Sequence, residues 1–322
     1  MDNSEFEIRN AWLNIRSFEG IFWVRREIEP QLDASGDKRI FLPTNSSAMR
    51  RHVLLFSLCL GFALPTRAGI DPFPGAGARL VALGYAYSGL RGDLWSVFAN
   101  PAGITGLERP AAGLYFEQRF FLSELTYGSA GAVYPFWEQH AVGLDIRSFG
   151  FEGFRQTQIG LAYGVTVLDR ISLGIKAKYA TLNIRDYGAA GVFLLDAGLH
   201  VQLNEQIGVG ASGRNLNRAR ITTTLGGVEQ TPTVLQTGVS YRPTETVLLL
   251  VEVVKEEAFD PSFRGGIEYE IAPILKARVG GGVQPLLLSG GLGLDWDRLA
   301  LDVALSYTEQ FASPHLSLSY GF

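Results

Sequence analysis

The stretch LALDVALSYTEQFASPHLSLSYGF, residues 299–322, decides the fold of this chain. From residue 299 an apolar side chain occupies every second position, and the residues between are small or polar. After a polar turn at 308–313 the alternation resumes, and the chain ends on Phe322. A repeat of two residues predicts β-strands, because successive side chains of a strand point to opposite faces. The second face carries residues as small as Ser317 and Ser319, which favours a barrel in lipid over a soluble sandwich.

Composition agrees with a β-barrel membrane protein. The chain has 322 residues, 38 of them Gly, and 11% aromatic residues, with a formal net charge of −4 that carries no nucleic-acid signature. Its mean hydropathy is +0.12, yet it has no apolar run of about 18 residues, the usual minimum for a spanning helix. The single cysteine, Cys59, permits no intrachain disulfide.

The first 68 residues read as processing signals rather than as part of the fold. Residues 49–68 combine a basic start, an apolar run at 53–64 and a small-residue site before Gly69, so we expect a signal peptide and export. Residues 1–48 then precede a signal that should begin the protein. We expect that Met49 is the true start of translation and that residues 1–48 come from an over-extended reading frame. The alternative is that they form a cytoplasmic leader.

The rest of the chain, residues 111–322, divides into strand-sized alternating pieces separated by turn-like residues. The pieces number fourteen, at a spacing that suits strands of about ten residues joined by short turns. Twelve or sixteen strands remain open, because residues 247–250 and 286–288 are apolar on both faces. The predicted strands are 114–119, 125–134, 140–148, 156–165, 171–179, 193–203, 207–214, 235–241, 247–253, 263–271, 275–283, 286–296, 299–307 and 314–322. The fold prediction is therefore an all-β, transmembrane antiparallel barrel of about 14 strands.

Tyr and Trp recur near the predicted strand ends. Rings with an apolar body and a polar tip favour the membrane boundary, although Tyr also has an ordinary preference for strands. The residues assigned to this boundary are Tyr115, Tyr127, Tyr134, Trp137, Tyr163, Tyr179, Tyr187, Tyr241, Tyr269, Trp296, Tyr307 and Tyr320.

Residues 69–110 are too rich in Gly for an unbroken helix and do not alternate like the strands. Within them, Asn100, Pro101, Ala102 and Gly103 predict a tight turn, since a residue before proline disfavours the helical conformation and Gly accepts a positive φ.

This part of the sequence resembles a known family. Gly77-Ala78-Arg79, the run 84–90, Asp93 and the stretch 98–103 are similar to the opening of PorV/PorQ-type outer-membrane proteins, and more distantly to FadL-type long-chain fatty-acid transporters. The sequence departs from the pattern at Gly92, where a second acidic residue is common, and at Ala99, where an aromatic is common. The resemblance implies that residues 69–110 form an inward, hatch-like plug segment that contains the turn 100–103, and FadL-type barrels have fourteen strands.

Charged residues of both signs fall on the small or polar faces of the predicted strands. They either pair across the lumen and hold it shut or line a polar path for solute, and with so many Gly on the same faces we expect a plugged lumen. The predicted lumen charges are Asp145, Arg147, Lys176, Lys178, Asp196, Arg264, Glu268 and Arg278.

Catalytic and metal sites have little support in the sequence. None of the four His lies at a two-His spacing or beside a Cys, so we expect no metal and no cofactor. A Ser-His-carboxylate trio of Ser212, His200 and Asp196 could form on adjacent strands and would make the chain a barrel-wall lipid-modifying enzyme, but no nucleophile-turn motif accompanies it. We therefore expect a non-catalytic protein.

The resemblance implies two functions for a protein of the bacterial outer membrane. The first is a component of type IX secretion that has secretion-system subunits or exported cargo as partners. The alternative is a FadL-like conduit whose ligand is a hydrophobic small molecule. Both place the barrel in contact with outer-membrane lipid, and neither involves nucleic acid. A conduit should have an apolar pocket and a lateral gap in its wall, whereas a secretion component should have a closed wall and a protruding loop surface.

Overall fold

A computed structural model describes residues 75–222, 228–257, 259–308 and 311–322, together with the backbone of a short antiparallel strand pair, Ile15–Ser17 and Gly20–Phe22. Apart from that pair, the predicted leader 1–48 and the predicted signal peptide 49–68 lie outside the described residues, as do residues 69–74 of the predicted inward segment. The chain divides into two units, Met1–Arg67 and Ala68–Phe322. The sections below concern the second unit.

Fourteen antiparallel strands within the described residues of this unit close into a barrel. Each strand pairs with its sequence neighbours, and β14 pairs with β1 from Gly321↔Ala111 to His315↔Glu117, which closes the wall. The strands are β1 Ala111–Gln118, β2 Thr126–Phe136, β3 His140–Phe151, β4 Phe154–Leu168, β5 Ile171–Ile184, β6 Gly188–Gln202, β7 Ile207–Arg214, β8 Val234–Thr244, β9 Val247–Glu256, β10 Ser262–Ala272, β11 Leu275–Val283, β12 Leu287–Trp296, β13 Leu299–Thr308 and β14 Phe311–Gly321. The structure thus confirms the predicted fourteen-strand antiparallel barrel.

Most strands separate an apolar outer face from a small or polar inner face. On β13, the outward Leu301, Val303 and Leu305 are 36–51% exposed, whereas the inward Asp302 and Ser306 are 3% and 7% exposed. A soluble sandwich would bury its large apolar residues, so this arrangement is that of a barrel whose outer face meets hydrocarbon.

Of the Tyr and Trp residues assigned to the membrane boundary, all but two are exposed on the outer surface of the protein. Tyr115 on β1 and Tyr127 on β2 point inward and are 3% and 0% exposed. Tyr115 lies between Leu114 and Phe116, which point outward, so the alternation of β1 turns it inward. Tyr127 is the direct strand partner of the inward Glu117 and therefore lies on the same face. Placing these two tyrosines at the membrane boundary was therefore wrong.

Residues 75–110, called the inner segment below, form short helices rather than strands. Helix α1 spans Ala78–Ala82, helix α2 spans Ser96–Ala99, and a 3-10 turn spans Pro101–Ile104. Almost all of the segment's apolar residues are buried and form the main apolar cluster, together with inward residues of the barrel such as Leu248 and Leu250. This packing explains why β9 is apolar on both faces.

The inner segment lies across the lumen, because it contacts inward positions on opposite sides of the barrel. The backbone amide of Ala78 donates to Ser317 Oγ on β14, and the carbonyl of Gly89 accepts from Ser240 Oγ on β8 at 2.8 Å. A Cβ added to Gly266 on β10 would lie 2.7 Å from the Cα of Leu83, so the wall requires glycine there for the segment's backbone to fit.

Candidate functional site

An ion-pair cluster joins the inner segment to strands β10, β11 and β13. Arg79 on α1 makes two contacts with Glu268, Nε to Oε2 at 2.8 Å and Nη2 to Oε1 at 2.9 Å. Arg278 donates to the same carboxylate at 2.6 Å and to Asp302 Oδ1 at 2.5 Å. Arg79 and Arg278 therefore offset the charges of Glu268 and Asp302 in a largely buried site, where an unpaired charge would be costly.

Arg79 also organises the inner segment itself. It is paired with Asp93, whose Oδ1 accepts from the Tyr87 hydroxyl at 2.8 Å and from the Trp95 amide at 2.8 Å. Burial raises the pKa of Tyr87 well above its usual value, so its hydroxyl keeps the proton that it donates to Asp93. Arg79 thus holds α1, the residues before α2 and the barrel wall together.

A second cluster fixes the segment to strands β3 and β5. Lys176 Nζ donates to the carbonyl oxygen of Val97 at 2.7 Å and lies 2.5 Å from Asp145 Oδ2. Arg147 Nε lies 3.0 Å from Asp145 Oδ1, and its guanidinium is 5.1 Å from the ring of Phe98. Helix α2 is therefore held by a cation on the carbonyl of Val97 and by a cation over the ring of Phe98.

The remaining predicted lumen charges are also inward. Lys178 Nζ lies 2.8 Å from Asp196 Oδ2, which joins β5 to β6. Arg264 on β10 lies over the ring of Tyr85, at 5.9 Å from its centroid. Seven of the eight predicted lumen charges form ion pairs with one another, and Arg264 makes an aromatic contact. The paired residues are Asp145, Arg147, Lys176, Lys178, Asp196, Glu268 and Arg278.

The turn predicted at residues 100–103 lies against β6. Asn100 Oδ1 accepts from the Ala102 amide at 3.1 Å, which caps the 3-10 turn that Pro101 begins. Its Nδ2 donates to the carbonyls of Ser88 and of Leu199 at 2.9 Å and 3.1 Å. Asn100 therefore links two parts of the inner segment to the wall.

Two anchoring residues were not among the predicted site residues. Arg79 lies within the family-like motif but received no role, and Glu252 lies on a strand that is mostly apolar. Glu252 Oε2 accepts the amides of Tyr87 and Ser88 at 3.1 Å and 2.7 Å, and its Oε1 accepts from Gln236 at 3.1 Å. An acidic residue at an inward position of a mostly apolar strand was the available signal for Glu252.

The Ser-His-carboxylate trio does not assemble. Each member has a different partner: Ser212 Oγ bonds the Ala99 carbonyl at 3.2 Å, His200 Nε2 contacts the Gly89 carbonyl at 3.1 Å, and Asp196 pairs with Lys178. The histidine and serine therefore bind the inner segment rather than each other, because the segment's backbone supplies nearer partners.

A groove of about 360 Å³ lies on the outer face where β1 and β2 meet β3, β13 and β14. Small residues, among them Ala112, Ala130 and Ala132, line it between larger ones such as Leu114 and Leu318. Two further lining residues are Gly113 and Gly131, and Cβ atoms added to them would lie 2.9 Å from Leu94 and 2.8 Å from Phe98 of the inner segment. Only a wall of small residues separates this groove from the apolar part of the inner segment.

Within the described ranges, no group of three or more His, Cys, Asp or Glu side chains is arranged to hold a metal ion. None of the helices described is long and apolar enough to cross a membrane.

Among known proteins, this chain matches solved structures but no family model and no curated sequence. The PorV/PorQ assignment therefore gains no support. The CymD monoaromatic hydrocarbon channel is similar in structure, with a TM-score of 0.59 and 13% identity over 78% of this chain and 98% of that one. The toluene transporter TodX of Pseudomonas putida has a TM-score of 0.57 and 12% identity over 77% of this chain and 99% of that one.

A third similar structure is a FadL homologue of Pseudomonas aeruginosa, with a TM-score of 0.55 and 11% identity over 78% of this chain and 99% of that one. Nearly the whole length of each of these three proteins aligns with this chain. At such low identities the likeness establishes the fold alone: a closed fourteen-strand β-barrel similar to those of these three proteins.

Proposed function

We propose that this chain is an outer-membrane conduit for hydrophobic small molecules. The observation that carries the proposal is the shared fold: a closed fourteen-strand barrel that aligns with 98–99% of the length of two monoaromatic hydrocarbon channels. The apolar outer face and the inner segment across the lumen support it, since they suit a barrel in lipid that does not form an open aqueous pore.

The connections between strands support one orientation in the outer membrane. At the end of the barrel where β1 begins and β14 ends, called the terminal end, adjacent strands are joined by two to four residues. At the opposite end, called the loop end, the connections include residues 119–125 and 215–233. Short turns are typical of the periplasmic side of outer-membrane barrels and longer loops of the outside, so the loop end faces the exterior.

The thin wall at β1 and β2 is the best candidate for a sideways route. An apolar solute that passes the inner segment near Leu94 and Phe98 meets only Gly113 and Gly131 before the outer groove. In the described structure the strand pairing is continuous here, from Ala111↔Val133 to Gln118↔Thr126, so the exit requires local opening of this pair. Apolar solute would then pass into hydrocarbon without crossing water.

The secretion role remains a second candidate, favoured by that same continuous pairing and by the resemblance of residues 77–103. A closed wall fits a docking protein, whereas loops that are mostly short offer it little surface. The two functions predict different losses when the protein is absent. Loss of a conduit would slow uptake of an apolar solute, whereas loss of a secretion component would block release of exported cargo.

Uptake of radiolabelled toluene by cells that express the chain tests the conduit. We expect faster toluene entry than in cells with an empty vector, and unchanged entry of a polar disaccharide of similar or larger size. Folded barrel in the outer-membrane fraction, shown by its heat-modifiable migration, is the required control. If the folded barrel is present and toluene entry equals that of the empty vector, the proposal is wrong. Retention of exported cargo after deletion of the gene would favour the secretion role instead.

A further inference from the structure

A chain of hydrogen bonds links a serine, a histidine, a tyrosine and a glutamate on the inner face of β13, β14 and β1. Ser306 Oγ lies 2.8 Å from His315 Nε2, and His315 Nδ1 lies 2.8 Å from the Tyr115 hydroxyl. The Tyr115 hydroxyl donates to Glu117 Oε2 at 3.2 Å, and Arg119 Nε donates to the other oxygen of Glu117 at 3.0 Å. All of the first four residues are at most 7% exposed.

The chemistry of these groups determines which atom donates and which accepts in each of these hydrogen bonds. An ionised Glu117 can only accept hydrogen bonds, so the Tyr115 hydroxyl donates its hydrogen to Glu117. The hydroxyl oxygen of Tyr115 must then accept a hydrogen bond from His315 Nδ1. With its proton on Nδ1, His315 presents the lone pair of Nε2 to Ser306, whose hydroxyl donates to it. A serine that donates to a histidine oriented by a third group is the arrangement of an activated nucleophile.

We propose that Ser306 is a nucleophile that hydrolyses carboxylic esters inside the lumen, an activity beyond the conduit function. Ser306 Oγ bonds to the carbonyl carbon of the ester while its proton passes to His315 Nε2. His315 gives this proton to the alcohol oxygen as the ester C–O bond breaks, which leaves an acyl group on Ser306. Water then attacks the acyl carbon and gives a proton to His315, which returns it to Ser306 Oγ as the acid departs.

The surroundings of the site indicate the class of ester. Ser306 is two residues from Thr308, where β13 finishes at the loop end, so a solute that enters there arrives close to it. Tyr115 also belongs to the main apolar cluster, against which Tyr85 packs, and its ring is 5.5 Å from that of Tyr127. An ester with a small apolar acyl group fits these neighbours better than a charged one. Tyr115 and Glu117 act through His315 and are positioning residues.

Two neighbouring serines provide matched controls. Ser289 on β12 and Ser313 on β14 are the direct strand partners of Ser306, and both face the lumen. Ser289 Oγ bonds the carbonyl of Ala82, and Ser313 Oγ accepts from the amide of Phe120. They share the environment of Ser306 but not its histidine.

The test uses the purified full chain in detergent with two probes, a biotinylated fluorophosphonate and p-nitrophenyl butyrate. We expect the fluorophosphonate to label Ser306, identified by peptide mass spectrometry, and Ser306→Ala to abolish both labelling and hydrolysis. His315→Gln should slow both by on the order of 10²-fold, the usual contribution of a general base. Ser289→Ala and Ser313→Ala should keep the wild-type rates.

Tyr115→Phe keeps the ring and removes the hydroxyl that links His315 to Glu117. We expect a lower kcat with little change in KM and a pH–rate profile displaced from that of the wild type, which loss of packing alone would not produce. Heat-modifiable migration identifies the variants that are folded. Three results would each overturn the proposal. The first is labelling of the wild type no faster than that of heat-unfolded protein, and the second is labelling at a serine other than Ser306. The third is a folded His315→Gln variant with wild-type rates.

Discussion

Arg79 of the inner segment and Glu268 of β10 are joined by two parallel contacts of 2.8 Å and 2.9 Å, although 189 residues separate them in the chain. The guanidinium and the carboxylate meet in the fork geometry that makes such pairs strong and directional. Arg278 shares the same carboxylate, so the pair is part of a charge network that fixes where α1 rests on the wall.

We predict that Arg79→Met destabilises the folded barrel by about 3–5 kcal/mol, because it weakens the neutralisation of the buried Glu268 and leaves the partly buried Asp93 without its cation. The free energy of unfolding in urea, followed by heat-modifiable migration, measures the change. Arg185→Met is the matched control, since Arg185 pairs with Glu152 where both side chains are more than half exposed, and such pairs contribute at most about 1 kcal/mol. Equal effects of the two substitutions would contradict an anchoring role for Arg79.

The fit of the inner segment against Gly266 gives a second prediction. A Cβ there would lie 2.5 Å from the carbonyl oxygen of Leu83 and 2.7 Å from its Cα, so Gly266→Ala must displace the segment's backbone. We expect faster entry of a small sugar into proteoliposomes, because the displaced segment fills the lumen less well. Swelling of the liposomes in isotonic sugar measures this.

Gly128→Ala is the control for that measurement, because Gly128 has nothing within 4 Å of an added Cβ. It should leave the swelling rate at the wild-type value. A Gly266→Ala barrel that is folded and no more permeable than Gly128→Ala would show that the segment does not limit passage.

The outer face gives a third prediction, which tests the membrane itself. Leu161 lies at the centre of β4 and Leu168 at its end, and both point outward, at 61% and 66% exposed. Leu161→Arg should cost about 2–4 kcal/mol of stability in a bilayer, and Leu168→Arg about 0–1 kcal/mol, because the cost of a charge falls from the midplane to the interface. Unfolding in phospholipid vesicles measures both values. No difference between the two depths would argue against a spanning β4.

The predicted signal peptide gives a fourth prediction. If residues 49–68 are removed on export, the mature protein begins at Gly69. Edman sequencing of the protein purified from the outer-membrane fraction should then read Gly-Ile-Asp-Pro-Phe. A mature protein that retains residues before 49 would refute both the cleavage site and the start at Met49.

The strands were predictable because the information lies within each strand. All fourteen predicted pieces correspond to strands of the barrel, and β3, β7 and β11 begin at the predicted residues His140, Ile207 and Leu275. Alternation over eight residues or more requires no knowledge of the neighbouring strand, so a single sequence carries it. The inward direction of the lumen charges follows from the same pattern.

The candidate site was less predictable because its contacts depend on distant parts of the chain. The lumen charges were named as a set, but the partner of each, such as Val97 for Lys176 or Arg79 for Glu268, depends on where the inner segment crosses. The trio built on His200 failed for this reason, since Gly89 supplies the contact that Ser212 was expected to make.

By itself, the sequence determined that this chain forms a barrel of antiparallel strands with an apolar outer face, because a period of two is a local property of the backbone. Only the tertiary structure decided what fills the lumen and which polar groups meet there. Ser306 and His315 come together through the register of β13 with β14, and Tyr115 joins them only because β14 closes the barrel on β1. Register and closure are set by the pairing of whole strands, and no local pattern specifies them.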